Sequence, residues 1–233
     1  MTTLTIIIVS KDNNKGVKKT LQSIDCNNKH IEIIIKKWGK TFSEIKSKNY
    51  MKLISPDTGI YDAMNQAIKV SSGKWIIFMN AGDEFKISLV FILKILNKTT
   101  ADILYSDVIV DNYYIRKTYP LKKIKYGSIF CHQSAIINSA LFQGHYYNLK
   151  FKLASDYEFF LKNYLDKKIF LKLDFIIANI ESKGVSDTKR DIVFKEWYCI
   201  QKYYNINYFY RKLLLWRRLI VHNVIKLLKI YHD

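Results

Sequence analysis

The chain has 233 residues, 49% of them hydrophobic, which is enough to bury one sizeable core in one or two domains. Its 38 lysines and arginines against 20 acidic residues give a net charge of +18, which predicts an anionic partner: nucleic acid, an acidic membrane surface or a phosphorylated substrate. Three dispersed cysteines without CxxC or CxxH spacing argue against structural zinc and suit a reducing compartment, and no apolar run is long enough to predict a membrane-spanning helix.

Short β-branched runs alternate with helical patterns through the first half of the chain. Strands are predicted at Leu4–Val9, Ile31–Ile35, Met51–Ile54 and Trp75–Met79. This alternation predicts a mainly parallel sheet that is flanked by helices, in which ligands bind beyond the carboxyl ends of the strands. The residues that follow the strands, at 10–14, 36–40 and 80–84, are therefore the first candidates for a site.

Two helices are predicted between these strands. The first covers Gly16–Ser23. The second is expected to begin at Ser55-Pro56-Asp57, with Asp57 as its cap, and to end at Gly73. Its predicted apolar face consists of Ile60, Ala63, Met64, Ala67 and Ile68.

The pattern loosens after Asp111. Helices are predicted at Ser155–Leu165, Lys189–Tyr204 and Arg211–Tyr231, and Ile169–Ile180 reads as extended. The last helix carries an apolar stripe at Leu213, Trp216, Ile220, Val224, Leu227 and Tyr231. This stripe could pack on the core; alternatively, because lysines and arginines surround it, it could lie on an anionic membrane surface, which is the preferred interpretation.

Three segments carry residues suited to chemistry. Asp83 follows the fourth strand and could hold a hard divalent cation, although Asn, Gly and Asp are also ordinary turn residues. Asp156 could act as a general base, although an Asp in a first helical turn commonly serves the helix dipole. In Cys131-His132-Gln133, either His132 or Gln133 could make a polar contact with substrate, and His132 could equally lie at the edge of the core.

The order of several motifs resembles bacterial family 2 glycosyltransferases of the GT-A fold, in the group that builds surface polysaccharides. The strongest segment is Asp57–Asn65 (DTGIYDAMN), followed by Gly73, an apolar strand and Asn80–Asp83 (NAGD). The later landmarks are Tyr105-Ser106-Asp107, His132-Gln133-Ser134, Ala154-Ser155-Asp156-Tyr157 and Gly184-Val185-Ser186. The resemblance implies a GT-A domain at residues 1–190, and the basic helical extension would occupy 191–233.

The resemblance also implies a reaction. A sugar would move, with inversion, from a nucleoside-diphosphate sugar (a UDP-sugar is favoured) to a hydroxyl of a growing surface glycan. Asp156 would be the catalytic base and Asp83 the ligand of Mg or Mn. The predicted donor-contact residues are Ser10, Asn14, Asp57, Gly59, Asp62, Asn65, Asn80 and His132. The acceptor would be a glycan or glycolipid such as a lipid-linked O-antigen, capsule or lipooligosaccharide precursor, at the cytoplasmic face of the inner membrane.

The sequence departs from the family pattern at three positions. Lys37 stands where the family has an Asp after the second strand, Gly82 replaces the first carboxylate of the metal motif, and Ser155 replaces the glutamate before the base. These changes leave open a catalytically degenerate protein that binds nucleotide sugar or glycan. Nucleic acid is not an expected partner because no helix-turn-helix, zinc-finger or RNA-recognition signature accompanies the charge. A nucleotidyltransferase is disfavoured because residues 11–16 contain only one glycine.

Overall fold

The computed structural model of the chain describes residues 2–24, 28–38, 50–182 and 184–230. The strands are β1 (Leu4–Lys11), β2 (Ile31–Trp38), β3 (Met51–Ile54), β4 (Trp75–Asn80), β5 (Glu84–Phe85), β6 (Ile103–Tyr105), β7 (Val108–Val110), β8 (Tyr114–Arg116), β9 (Ala135–Asn138), β10 (Phe170–Lys172) and β11 (Ala178–Ile180). The α-helices are α1 (Asn14–Gln22), α2 (Ile60–Val70), α3 (Leu89–Leu96), α4 (Ser155–Leu165), α5 (Val185–Thr188), α6 (Arg190–Tyr203) and α7 (Tyr208–Ile230). Three 3₁₀ turns, η1 (Leu121–Tyr126), η2 (His132–Ser134) and η3 (Ser139–Phe142), complete the elements.

The larger sheet has seven strands in the order β10-β6-β9-β4-β1-β2-β3. All neighbours in it are parallel except β9, which runs antiparallel to both β4 and β6. A second sheet has the order β5-β11-β7-β8. The predicted mixed, mainly parallel sheet is therefore confirmed, as are the four strands predicted in the first half.

Helices cover both faces of the larger sheet, because successive residues of a strand point to opposite faces and both must be buried. In β1, Ile6 and Ile8 pack with α1 and α3, whereas Ile7 packs on the other face with α2 and α4. On that second face Phe159 of α4 is fully buried. The two cores fix the strands tightly, so the loops at their ends are held in defined positions.

Helix α2 begins later than its sequence predicted. Its first residue is Ile60, and Gly59 rather than Asp57 occupies the cap position, with a φ of 147° that a residue with a side chain rarely adopts. Four of the five residues of the expected apolar face are buried; the exception is Ile60, which is exposed, and Tyr61 is buried beside them. The helix ends at Val70, three residues before Gly73. A Cβ on Gly73 would lie 2.6 Å from the backbone nitrogen of Thr5, so Gly73 serves a close approach of two chain segments.

The region after α4 differs in part from the expected pattern. The extended stretch at 169–180 divides into β10 and β11, which belong to different sheets. Helix α6 packs against α4 and η1 and buries Ile200 completely. The boundary at residue 190 stays a prediction, although α6 contributes to the main core. Among the described residues, no helix combines the length and the apolar character that crossing a bilayer requires.

Candidate active site

The carboxyl ends of β1, β2 and β4 meet at one edge of the larger sheet. Ser10 pairs with Lys37 in the parallel register of β1 and β2, and Val9 pairs with Asn80 of β4. Asn13 links two of the loops that follow: its side-chain oxygen accepts from the backbone of Gly16 and its amide donates to the carbonyl of Ala81. The predicted candidates after these strands therefore lie together, as the topology requires.

Asp83 lies in the loop after β4 and is 3% exposed. One carboxylate oxygen accepts a hydrogen bond from the backbone nitrogen of Glu181 at 3.0 Å. The other accepts from the backbone nitrogen of Asn80 at 3.1 Å and from the side-chain amide of Gln133 at 3.2 Å. Burial raises the pKa of Asp83 to about 6, despite these three donors. At neutral pH this carboxylate is thus a charge held out of water, which a bound cation would stabilise.

The turn beside Asp83 explains the missing carboxylate at position 82. Gly82 has a φ of 119°, and a Cβ there would lie 2.6 Å from a carboxylate oxygen of Glu181. Glu181 itself pairs with Lys19 at 2.9 Å. A second carboxylate thus occupies the space next to position 82, supplied by another part of the chain.

The oxygen atoms around Asp83 have the chemistry of a small cation site. Asp83 and Glu181 offer carboxylate oxygens, and the side-chain oxygen of Asn80 is buried with no hydrogen-bond partner among the described residues. Within those same residues, no group of three or more His, Cys, Asp or Glu side chains is arranged as a protein-only metal cage. Hard oxygen donors in small number fit Mg or Mn, which keep most of their positions for phosphate and water.

Asp156 lies in the first turn of α4, with its side chain 18% exposed. The hydroxyl of Tyr61 donates to one of its carboxylate oxygens at 2.7 Å. Burial and the negative charge of Asp156 raise the pKa of Tyr61 well above its ordinary value, so that this phenol keeps its proton and remains a donor. The second oxygen lies 3.7 Å from Nδ1 of His132 and accepts no hydrogen bond from Tyr61.

The turn η2 connects the two acidic residues. His132 lies beside Asp156, and its neighbour Gln133 donates to Asp83. Two consecutive residues of one short turn thus reach one carboxylate each, which places both acids on the same side of the molecule. Burial lowers the pKa of His132, so its imidazole is neutral at pH 7, and its Nε2 is buried without a hydrogen-bond partner in the described structure.

Two buried lysines at the end of β2 hold predicted donor-contact residues. Lys36 is fully buried and pairs with Asp57 at 3.1 Å, while it also donates to the carbonyl of Ser55. Lys37 donates to the side-chain oxygen of Asn14 at 2.5 Å. The two lysine side chains therefore hold the β1–α1 and β3–α2 loops against the end of β2. Residues 39 and 40 of the predicted β2 loop lie outside the described residues.

The remaining candidates in the α2 segment have clear local roles. Asp62 accepts from the backbone of Thr58 at 2.8 Å, which closes the turn before the helix. Asn65 uses both ends of its amide on the backbone of Tyr147, at 2.9 and 3.0 Å. A shallow open depression lies beside this turn and is lined by Thr58, Gly59, Ile60, Tyr61, Asp62, Leu149, Phe151 and Lys152. Tyr61 thus borders the depression and contacts Asp156.

Comparison with known proteins gives evidence that is independent of the site geometry. No family model matches the chain. It is 26% identical to PGL/p-HBAD biosynthesis glycosyltransferases of Mycobacterium bovis and Mycobacterium tuberculosis, over 149 residues that cover 60% of this chain and 57% of the relatives. The chain therefore spans little more than half the length of these relatives.

Solved structures show the same architecture. Residues 1–349 of S. aureus TarS in complex with UDP match with a TM-score of 0.69 and 16% identity, over 93% of this chain and 70% of that one. The mannosyltransferase PcManGT from Pyrobaculum calidifontis, in complex with GDP-Man and Mn²⁺, matches with a TM-score of 0.60 and 10% identity, over 84% and 63%. The fold is that of GT-A glycosyltransferases. The predicted resemblance to family 2 glycosyltransferases is confirmed.

Sequence reasoning did not assign the role of three residues in this candidate site. Tyr61 lies inside the strongest motif, but it was placed neither on the apolar face of α2 nor among the site residues. The backbone of Glu181 holds Asp83 although 98 positions separate the two residues, and no local pattern reveals such a pair. Gln133 was left as one of two possible substrate contacts, whereas its amide donates to Asp83.

Proposed function

We propose that this protein is an inverting glycosyltransferase that moves a sugar from a nucleoside-diphosphate sugar to a hydroxyl of a growing surface glycan. The observation that carries the proposal is the link through η2, where His132 and Gln133 reach Asp156 and Asp83 respectively. Two carboxylates on one side of a GT-A sheet edge provide a base for the acceptor and a site for the leaving diphosphate.

Asp156 is the catalytic base in this proposal. Its carboxylate takes the proton from the acceptor hydroxyl as that oxygen forms a bond to the anomeric carbon. The bond from that carbon to the diphosphate breaks on the opposite face, and its electron pair leaves with the diphosphate oxygen, so the configuration inverts. Tyr61 holds one oxygen of Asp156 and leaves the other for the proton. The neutral imidazole of His132 is placed to contact the acceptor or the sugar.

Asp83, with Glu181 and Asn80, is the proposed site of a divalent cation. A bound Mg or Mn ion would stabilise the charge that develops on the departing diphosphate. The raised pKa of Asp83 supports this role, because an anion already out of water gains more from a cation than a solvated one does. Gln133 and the backbone of Glu181 hold the carboxylate in place whether or not the cation is bound.

The donor is proposed to be a UDP-sugar, supported by the similarity to TarS structures with UDP and UDP-GlcNAc. Ser10, Asn14, Asp57, Gly59, Asp62 and Asn65 would shape its binding surface. Several of them act by fixing the loops rather than by offering a free group, since Asn65 and Asp57 already hold partners. The proposed acceptor is a lipid-linked glycan at the cytoplasmic face of the inner membrane, as the resemblance to glycosyltransferases that build surface polysaccharides implies.

A catalytically degenerate protein that binds nucleotide sugar or glycan is the second candidate. It is favoured by Asp83, whose carboxylate already accepts three hydrogen bonds, and by the absence of a side chain at Gly82. Such a protein would bind donor without cleaving it. The geometry around Asp156 favours catalysis, because a purely structural acid would not need one oxygen left for an acceptor.

The test begins with thermal stabilisation of the chain by a panel of nucleoside-diphosphate sugars with Mn²⁺. At a hundredfold excess over the dissociation constant, a specific donor stabilises the fold by roughly 2.7 kcal/mol. The stabilising donor is then assayed for transfer and for slow hydrolysis, with Asp156→Asn as the matched variant. We expect this variant to keep donor binding and to lose turnover. Donor binding without cleavage by the unmodified chain would establish the degenerate alternative, and full turnover by Asp156→Asn would show that another group is the base.

A further inference from the structure

Helix α7 exposes an apolar stripe. The stripe has spacings of three and four residues and points away from the body. The exposed fractions are 80% for Phe209, 66% for Leu213, 65% for Trp216, 58% for Ile220 and 48% for Val224. The structure therefore contradicts core packing for four positions of the predicted stripe, Leu213, Trp216, Ile220 and Val224, whereas the side chain of Leu227 and residue Tyr231 lie outside the described residues. Surface helices ordinarily bury their apolar face and expose their charges.

The face of α7 that meets the body carries Arg211 and Arg218 beside the partly buried Leu214, Leu215 and Leu219. Arg218 lies 4.8 Å from the centre of the Trp197 ring and donates to the backbone carbonyl of Tyr126. Arg211, one heptad earlier, is buried over the rings of Tyr198 and Tyr208. These cation–π contacts fix the rotation of the helix, because turning the stripe inward would carry both guanidinium groups into solvent and break them.

The exposed stripe has a cation on each side. On the helical wheel, Lys212 lies about 80° to one side of the stripe centre and Arg217 about 60° to the other, at 100° per residue. Both side chains are exposed. Trp216 sits within the stripe, and Tyr208 and Tyr210 lie in the same exposed first turn. An apolar stripe between two basic borders is the pattern of a helix that lies in the interface of an anionic bilayer.

We infer that the face of α7 formed by Phe209, Leu213, Trp216, Ile220 and Val224 docks on a bilayer that contains anionic lipid. The stripe enters the acyl boundary, and Lys212 and Arg217 meet the headgroups. A second copy of the chain fits poorly, because it would bring a second net charge of +18 and the same cations against the first. A nucleic acid would match the charge but offers no hydrocarbon layer to Leu213 and Ile220.

The docking surface is a property separate from the proposed transfer reaction. It rests on that reaction only for its functional benefit, because a lipid-linked acceptor would be reached at the bilayer. The body-facing arginines tie α7 to α6, and α6 packs on α4, the helix that carries Asp156. Docking of α7 would consequently keep the base close to the membrane surface.

The test is flotation of the full chain with vesicles of phosphatidylethanolamine and phosphatidylglycerol, and with phosphatidylcholine vesicles of the same size. We expect flotation with the anionic vesicles and a much weaker response with the neutral ones. Trp216→Glu is expected to lower the partition coefficient by at least about tenfold, and Arg217→Gln by about fivefold on anionic vesicles alone. Tyr113→Glu, which adds the same charge at an exposed aromatic of the β7–β8 turn, should leave flotation unchanged.

Three results would overturn the inference: no flotation of the unmodified chain, equal flotation of Trp216→Glu, or equal loss in Tyr113→Glu. A lipid-free dimer that Trp216→Glu converts to a monomer would assign the stripe to a second copy instead. Circular dichroism and donor-induced thermal stabilisation check that each variant folds. Transfer to a water-soluble acceptor analogue should survive Trp216→Glu. Flotation without any transfer by the unmodified chain would refute the proposed reaction and leave the docking surface standing.

Discussion

The hydroxyl of Tyr61 provides the sharpest test of the proposed base. Tyr61→Phe removes the hydrogen bond to Asp156 at 2.7 Å and leaves the ring in its buried site. A hydrogen bond to a charged group is worth about 1.5–3 kcal/mol, which corresponds to about ten- to 150-fold in rate. The bond also holds the carboxylate in one orientation, so its loss lets the base turn away from the acceptor hydroxyl.

The predicted effect therefore lies in the chemical step. We expect kcat/KM of Tyr61→Phe for the acceptor to fall by about ten- to 150-fold. The KM for the donor should change little, because Tyr61 contacts the base. The assay is the rate of transfer with donor saturating and acceptor varied.

Tyr147→Phe is the matched control. The Tyr147 ring lies 5.4 Å from the Tyr61 ring, and its hydroxyl is buried without a hydrogen-bond partner among the described residues. Its removal takes the same atom from the same aromatic cluster without touching Asp156. An unchanged kcat/KM in Tyr61→Phe, or an equal loss in both variants, would refute the assignment of Tyr61 as the residue that positions the base.

Three further predictions concern charged residues in and around the candidate site. The pKa of Asp83 rises from 3.8 in the unfolded chain to about 6 in the fold, so its contribution to stability is present below pH 4 and is lost as pH rises through 6. Asp83→Asn should therefore remove about 3 kcal/mol of that pH dependence in thermal unfolding between pH 4 and 7, and an unchanged slope would contradict the shift. Glu181→Gln should weaken Mn²⁺ binding by about tenfold in calorimetry with UDP present, since one carboxylate of the set is lost; Glu84→Gln serves as the control, and equal effects would exclude a specific role for Glu181. Lys36→Met leaves the partner carboxylate buried and unpaired and should cost about 3–5 kcal/mol in denaturant unfolding, whereas Lys117→Met, at a side chain 72% exposed, should cost less than about 1 kcal/mol. A cost for Lys36→Met as small as that for Lys117→Met would show that the buried pair adds little.

The sheet could be predicted closely because its signal is local. Four apolar runs predicted β1 to β4, since strands buried on both faces read as continuous β-branched segments. The short strands β5 to β9 were not predicted, because two to four residues carry too little pattern to separate a strand from a loop. The cap at Asp57 was wrong because the carboxylate accepts from Lys36, which lies 21 positions away.

The apolar stripe on α7 also separates what the sequence shows from what only the fold shows. Its periodicity and its charges were visible in the sequence, but whether it faced the core or the outside was not. Rotation of a helix about its axis is set by what its other face meets, here Trp197 and the carbonyl of Tyr126.

The sequence alone determined the GT-A architecture and the order of the motifs, and it pointed to Asp83 and Asp156 as candidates, because apolar periodicity and motif spacing are properties of the chain itself. Only the tertiary structure decided what surrounds those acids. It brought Tyr61 to Asp156 across 95 positions and the backbone of Glu181 to Asp83 across 98. Hydrogen bonds and desolvation act over a few ångströms in space, and positions so far apart in the chain become neighbours only when the sheet and its helices close around them.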